Sequence, residues 1–303
     1  MLAIFLHIDN TTESLLNLIS NIPTNSAKNI TLYIHDSSSD EKKLFNAKKY
    51  DFSQFKNIQY ITANNVKNSL GYAYNDFLAT TKEKYAYFMN SYSALPVDFF
   101  DTLNNENKDW DFAIANSLVN ETRSCEKIKN LFPCFLPILY DKIFSVDFLK
   151  SKGITFSLNH PNILVFLYKV LKSFSKAYLI KTANDIKKCF FLPYTTPNHN
   201  LELLNEFTSN YERSNFWNDN FKQISFLASF YVIGEVLPCI FASHKNVIVR
   251  ENAVMYCETY LNKHFKNWSD NSIYSANNLY IFKLIKRFNF SDKAIEEINQ
   301  NII

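Results

Sequence analysis

Residues 85–96 read Tyr85-Ala86-Tyr87-Phe88-Met89-Asn90-Ser91-Tyr92-Ser93-Ala94-Leu95-Pro96. Five apolar residues without alternation suit a strand buried on both faces, as in a parallel sheet. The polar run after Met89 stops that strand, and Pro96 stands at the start of a helix over 96–103.

The same signals recur upstream. Residues 3–8 form a short apolar run ending in polar residues. Thr11 or Thr12 can cap a helix whose apolar face is Leu15, Leu16, Leu18 and Ile19, and Pro23 helps end it. A second strand over 30–34 is broken by the turn-rich run Asp36-Ser37-Ser38-Ser39-Asp40, a third spans 58–61, and 70–79 reads as a helix. Downstream, the pattern predicts a strand over 112–115, a helix over 144–149, a turn at Lys152-Gly153-Ile154, an apolar helix over 163–174 and a strand over 177–180.

Strands alternating with helices predict a doubly wound α/β fold with a mostly parallel central sheet. Such sheets bind ligands beyond the carboxyl ends of their strands, so the segments after Ile8, Ile34 and Met89 are expected to line one crevice. Beyond residue 198 strand signals fade, and helices are expected over 215–233, 253–265, 278–288 and 292–302. The division is therefore an α/β domain over 1–198 and a helical region over 199–303.

The bulk composition narrows the function classes. The chain has 303 residues, 47% hydrophobic and 20% charged, which suits one large domain with an appendage. Aromatics reach 16%, but Asn, Lys, Ile, Phe and Tyr are abundant together, as AT-rich coding produces, so the excess is no base-stacking signal. A net charge of +3 is far from the strongly basic balance of a nucleic-acid-binding domain. The five cysteines form no CxxC pair, which argues against a zinc site and suits reduced, buried thiols in a reducing compartment. The amino-terminal apolar run has no basic leader. The apolar stretch 226–242 carries Glu235 and Pro238 and falls short of the ~20 residues of a bilayer span. A cytoplasmic protein is the expectation. With three glycines, no Gly-rich phosphate loop is possible.

Taken in order, the segments resemble family-2 glycosyltransferases. Their first strand ends P-x-Y-N; here His7-Ile8-Asp9-Asn10 keeps the Asn. Their second ends V-D-D-G-S-x-D; here Ile34-His35-Asp36-Ser37-Ser38-Ser39-Asp40 keeps the second Asp, a Ser and the last Asp. Their N-x-G-x-x-x-A-R-N block corresponds to Lys67–Asn75, which keeps Ala73 and Asn75. Their Y-I-x-F-L-D-S-D-D strand corresponds to Tyr85–Ser93, with Pro96 placed as expected. Their N-K-L-F-x-x-x-F-L and I-x-F segments resemble Tyr140–Leu149 and Ile154-Thr155-Phe156. The resemblance covers roughly residues 2–195 and implies a GT-A fold.

It also implies a chemistry. Transfer from a nucleotide sugar needs the donor gripped, the leaving diphosphate neutralised and a proton taken from the acceptor hydroxyl. The resemblance places Asn10, Asp36, Asn75, Asn90 and Tyr92 at the donor, a UDP-sugar for choice, with Asp36 on uracil or ribose. Asp36 could equally open an Asx turn or cap a helix. The metal clamp D-S-D-D is replaced by Asn90-Ser91-Tyr92-Ser93, so a divalent ion is expected to bind weakly or not at all. Where the family carries E-D before the helix containing Phe166, this chain has Asn162 and Ile163. His160 lies close and is the candidate base, or a plain loop histidine before Pro161. Asp98 and Asp141 read as helix-start or surface acids. His7 and His35 end two strands and face one crevice, where they bind a phosphate or have no role. Residues 281–288, rich in Ile, Leu, Phe, Lys and Arg, could lie on an anionic membrane or pack on the domain.

Two functions are consistent with this. One is a glycosyltransferase, inverting, acting on a surface polysaccharide, lipooligosaccharide or glycolipid acceptor, with peripheral contact at the inner membrane face or with a partner glycosyltransferase. The other is a catalytically inactive relative that serves as a scaffold or binding partner.

Overall fold

The computed structural model describes residues 2–8, 22, 24–37, 52–61, 69–89, 109–116, 119–132, 134–158, 161–182 and 197–273. The chain divides into two compact units, Met1–Ile128 with Ile138–Cys189, and Lys129–Pro137 with Phe190–Ile303.

The first unit is built on eight strands: β1 (Leu2–Ile8), β2 (Ile30–Asp36), β3 (Asn57–Ile61), β4 (Tyr85–Met89), β5 (Phe112–Asn116), β6 (Arg123–Cys125), β7 (Lys142–Ser145) and β8 (Ala177–Lys181). They form one sheet in the order β3-β2-β1-β4-β7-β5-β8-β6. The pairs β3/β2, β2/β1, β1/β4 and β5/β8 are parallel; β7 runs antiparallel between β4 and β5, and β6 antiparallel on β8. The α/β expectation with a mostly parallel sheet holds. Every residue of β1, β4 and β5 is buried, which is why these strands read as unbroken apolar runs.

The two faces of the sheet differ in kind. One is chiefly aliphatic: Ile4, Leu6, Ile8, Leu32, Ile34, Ala113, Ile143 and Ile180 pack with Ile22, Ala27 and Phe55. The other is aromatic. Phe5, Tyr33 and Phe88 meet Tyr74 and Phe77 of helix α2, once α1 (Thr24–Ala27) and α2 (Leu70–Thr80) are counted in chain order. After α3 (Ile128–Leu131) and α4 (Val146–Ser151), helix α5 (Ile163–Ser173) adds Phe166, which stacks on Phe156 at 4.0 Å and 3°. Strand alternation sorts the side chains in this way.

One expectation fails here. Residues 144–149 were expected to be wholly helical, but Lys142–Ser145 is strand β7 and α4 begins only at Val146. The helix start is set by Ser145, whose hydroxyl accepts from Phe148 N–H at 3.3 Å. A four-residue strand between two others is too short to show alternation. Strand β6, with the sequence Arg-Ser-Cys, carried no apolar signal at all.

The second unit is helical over its described carboxyl-terminal part: α6 (Pro197–Tyr211), α7 (Asn215–Asp219), α8 (Phe221–Tyr231), a π-helical turn at Val232–Val236, α9 (Leu237–Ser243) and α10 (Val247–His264). Trp217 stacks on Phe265 at 5.2 Å and meets Phe207 at 5.4 Å, and Tyr260 donates to Leu204 O at 2.7 Å. Phe132, from the short first segment of this unit, meets Phe226 edge-on at 5.9 Å. The helix expected over 215–233 breaks at Asn220 and continues past 233, through the widened turn that precedes Pro238. Proline offers no N–H to the carbonyl four residues back, and a π turn accommodates the loss. Phe221–Phe241, at 21 residues, is long and apolar enough to cross a membrane by length and composition, and nearly all of it is buried. Burial pushes the Glu235 carboxyl up to about 8, so it is largely uncharged at neutral pH on this apolar helix. The helices expected over 278–288 and 292–302 lie outside the described residues.

Candidate functional site

The parallel strands all end at one edge of the sheet. At the ends of β1 and β2, Ile8 and Asp36 are register partners, and so are His7 and His35. Ser37 ties the two ends together: its N–H and its hydroxyl both donate to Ile8 O, at 2.9 and 3.2 Å. His7 Nε2 lies 2.7 Å from the same hydroxyl oxygen. The direction of that bond follows the His7 tautomer: the ring donates when Nε2 carries the proton, and the hydroxyl donates to Nε2 when Nδ1 carries it.

His35 lies beside this arrangement, its ring 5.5 Å from that of His7 and stacked 6.0 Å from Phe5. It is 1% exposed, and neither of its ring nitrogens has a hydrogen-bond partner among the described residues. Burial lowers the His7 pKa to about 3, helped by the neighbouring His35 and opposed by Asp36. Burial also lowers that of His35, again opposed by Asp36. Both rings are neutral at physiological pH. Asp36, half-buried, follows Ile34 onto the aliphatic side by strand alternation, while the two imidazoles end the aromatic side.

Helix α2 runs back from this edge, so its first turn stands at the carboxyl ends of the strands. Ser69 caps it, accepting from Tyr72 N–H at 3.2 Å, and its hydroxyl donates to Leu158 O. Gly71 faces the same segment: a Cβ there would lie 2.0 Å from Ser157 O. Asn75 pairs with Phe156 through both ends of its amide, Nδ2 to Phe156 O at 2.9 Å and Phe156 N to Oδ1 at 2.8 Å. Three consecutive residues, 156–158, are thus held against one helix.

Between β5 and β7, at the same edge, Asp141 Oδ1 accepts from Lys142 Nζ at 2.6 Å and Oδ2 from Asn116 Nδ2 at 2.8 Å. Lys142 also donates to Ile138 O at 2.8 Å and is 0% exposed. Asp141 is therefore no surface acid. Burial pushes its carboxyl pKa up, against the pull of Lys142 and Asn116. Asn162, standing where the family carries an acid, caps α5 by accepting from Val165 N–H at 3.1 Å.

Of the residues the resemblance points to, Asp36 and Asn75 are described; Asn10, Asn90, Tyr92 and His160 lie outside the described residues, as does Asp98. Asp36 stands at the end of β2, and Asn75 one turn into α2 on the opposite side of the sheet, with its amide committed to Phe156. Among the described residues no group of three or more His, Cys, Asp or Glu side chains could hold a metal ion. The signals for the His7–Ser37 bond and the Asn75 clamp were the polar residues themselves; their partners lie 30 and 81 residues away.

No family model and no curated protein matches the sequence. Solved structures do match. S. aureus TarS 1–349 in complex with UDP-GlcNAc superposes with a TM-score of 0.58 at 12% identity, over 99% of this chain and 91% of that one. The same protein in complex with UDP gives 0.57 at 12%, over the same shares. A longer TarS structure gives 0.53 at 11%, over 98% of this chain and 55% of that one. The fold is GT-A. At these identities the likeness is one of fold, and the chemistry has to be argued from the residues.

Proposed function

We propose that this chain is a glycosyltransferase that takes a sugar from a nucleotide-sugar donor, a UDP-sugar first among them. The observation that carries the reading is the edge where β1, β2 and β4 end together in a fold whose solved neighbours include one in complex with UDP-GlcNAc. Donors to such folds bind beyond the carboxyl ends of the strands.

The half-buried carboxylate of Asp36 is suited to accept hydrogen bonds from ribose hydroxyls or a nucleobase N–H. Asn10, Asn90 and Tyr92 follow strand ends in the sequence and complete the donor set, with Asn75 behind it. In an inverting transfer the acceptor hydroxyl oxygen bonds to the sugar C1 as the bond to the diphosphate oxygen breaks, and His160 would take the hydroxyl proton. Asn90-Ser91-Tyr92-Ser93 offers no carboxylate, so the metal site is altered or absent and a divalent ion would bind weakly or not at all. A surface polysaccharide, lipooligosaccharide or glycolipid is the acceptor class. That class places the protein in the cytoplasm, at or near the inner membrane face or a partner glycosyltransferase.

The same missing carboxylates favour a second reading, an inactive relative that binds donor or glycan without turnover. Calorimetry with UDP- and GDP-sugars, with and without Mn²⁺, together with product release, separates them. Binding with turnover is the expected result. Binding without turnover selects the second reading, and no binding of any nucleotide sugar overturns both.

A further inference from the structure

The segment Ile154–Leu158 is held in an unusual way for a loop. Loops are ordinarily the more mobile part of a fold. Here the three successive carbonyls of Phe156, Ser157 and Leu158 are turned onto α2, met by the Asn75 amide, the bare Cα of Gly71 and the Ser69 hydroxyl. The Phe156 ring is fixed from the other side, stacked on Phe166 and 4.7 Å from Tyr74 and 5.3 Å from Phe88, the penultimate residue of β4. Leu158, although it lies at this fixed point, is 61% exposed.

The placement has a consequence for the site. The strap follows α2 back from Asn75, past Gly71, to the capping residue Ser69 at the carboxyl edge, and His160 comes two residues later in the sequence. Asn75 offers one donor and one acceptor to the strap, and the peptide of Phe156 takes both. What it could still turn to a nucleotide is its second N–H and the second lone pair of Oδ1.

We infer that Asn75, supported by Ser69 and Gly71, is a positioning residue that presets the strap 156–158 as a rigid wall of the transfer site, and so acts on sugar transfer through the strap. This rests on the glycosyltransferase reading for its consequence, while the clamp itself stands on geometry. Preset walls matter to transfer more than to donor binding, because displacement of a reacting group by about an ångström can cost on the order of a hundredfold in rate.

The test uses the full chain with Asn75→Ala and Asn75→Asp. Hydrogen exchange reads the clamp directly. In Asn75→Ala, the Phe156 amide should exchange about tenfold faster or more, while Asn75→Asp, which still accepts from that N–H but sets its other oxygen against Phe156 O, should fall between the alanine variant and wild type. Calorimetry with UDP and UDP release from UDP-GlcNAc read the function. The UDP Kd should hold within about twofold in Asn75→Ala while kcat falls about tenfold or more, with melting temperature measured alongside. Unchanged exchange in the strap overturns the clamp. A UDP affinity that weakens in step with kcat overturns the positioning role in favour of direct donor contact. If wild-type protein neither binds UDP nor releases it from UDP-GlcNAc, the glycosyltransferase reading fails by itself, and the exchange data alone decide the clamp.

Discussion

The two edges of the sheet handle their polar groups differently. At the amino edge the buried Glu83 and the half-buried Asp111 are both answered. Glu83 accepts from Thr31 Oγ1 at 2.6 Å and Lys56 Nζ at 3.1 Å, and Asp111 Oδ2 receives Ser175 N, Ser175 Oγ and Lys176 N at 2.6, 2.9 and 3.0 Å. At the carboxyl edge the satisfaction is uneven. The Asp141–Lys142–Asn116 group under β5 and β7 is closed, but His35 under β2 has two buried nitrogens with no partner among the described residues. A buried polar atom left unpaired costs about 1–3 kcal/mol, so such groups ordinarily persist where something other than stability retains them. The amino edge is built to hold; the carboxyl edge holds on one side and gives up stability on the other.

The closed part of the carboxyl edge should break hardest. Lys142→Met leaves the Asp141 carboxylate buried beside Asn116 alone, and is expected to cost about 3–5 kcal/mol in denaturant unfolding. The double variant Asp141→Asn with Lys142→Met should cost less than Lys142→Met alone, because no orphaned charge remains. Equal losses would mean that Asp141 is already neutral in the fold. At the amino edge, Thr31→Val removes the hydroxyl that donates to Glu83 and should cost about 1.5–3 kcal/mol, the range for a hydrogen bond to a charged group. The half-exposed Lys56 alone should not compensate, since such ion pairs contribute little.

Gly71→Ala sharpens the comparison because two effects oppose each other. In a helix interior alanine is favoured over glycine by about 1 kcal/mol. Here the added methyl would meet backbone oxygens at 2.0 and 2.9 Å, so α2 or the strap must shift, at about 1–3 kcal/mol. Net destabilisation by thermal melting is expected, and stabilisation would show that the strap gives way freely.

The sequence made β1, β2 and β4 legible because buried parallel strands are largely apolar runs with polar ends, as in residues 3–8 and 85–89. It hid β7, where Lys142 is wholly buried although lysine is among the least buried residue types. The same local reading made Asp141 a surface acid; only the neighbouring strand end, with Asn116, reveals why it is inside. The candidate site was legible as an edge, since Asp36 and the paired histidines fall where strands β1 and β2 end. Its internal fastening was not. The Asn75 amide meets a peptide 81 residues away, and no pattern along the chain encodes that.

His35→Phe is the smallest change and separates the edges by pH. Phenylalanine keeps the stacking on Phe5 and removes two nitrogens that have no partner among the described residues, so at pH 7 stability should be unchanged or slightly raised. The acid side is where the variant should differ. The pKa of His35 is lowered in the fold, so below 6.5 the unfolded chain binds a proton that the folded chain refuses. Stability is therefore full above pH 6.5 and falls as pH drops, by up to about 1.4 kcal/mol per pH unit for each such histidine. His7, lowered to about 3, contributes in the same direction. Glu83, lowered from 4.5, loses its contribution only below that value, outside the window between pH 6.5 and 4.5. Asp141 and Glu235, both raised, act with the opposite sign, but they are common to both proteins and cancel in their difference. Unfolding free energies across that window should fall less steeply in His35→Phe than in wild type. Parallel lines would mean that His35 titrates normally in the fold, and the contrast between a finished edge and an unfinished one would then rest on hydrogen-bond geometry alone.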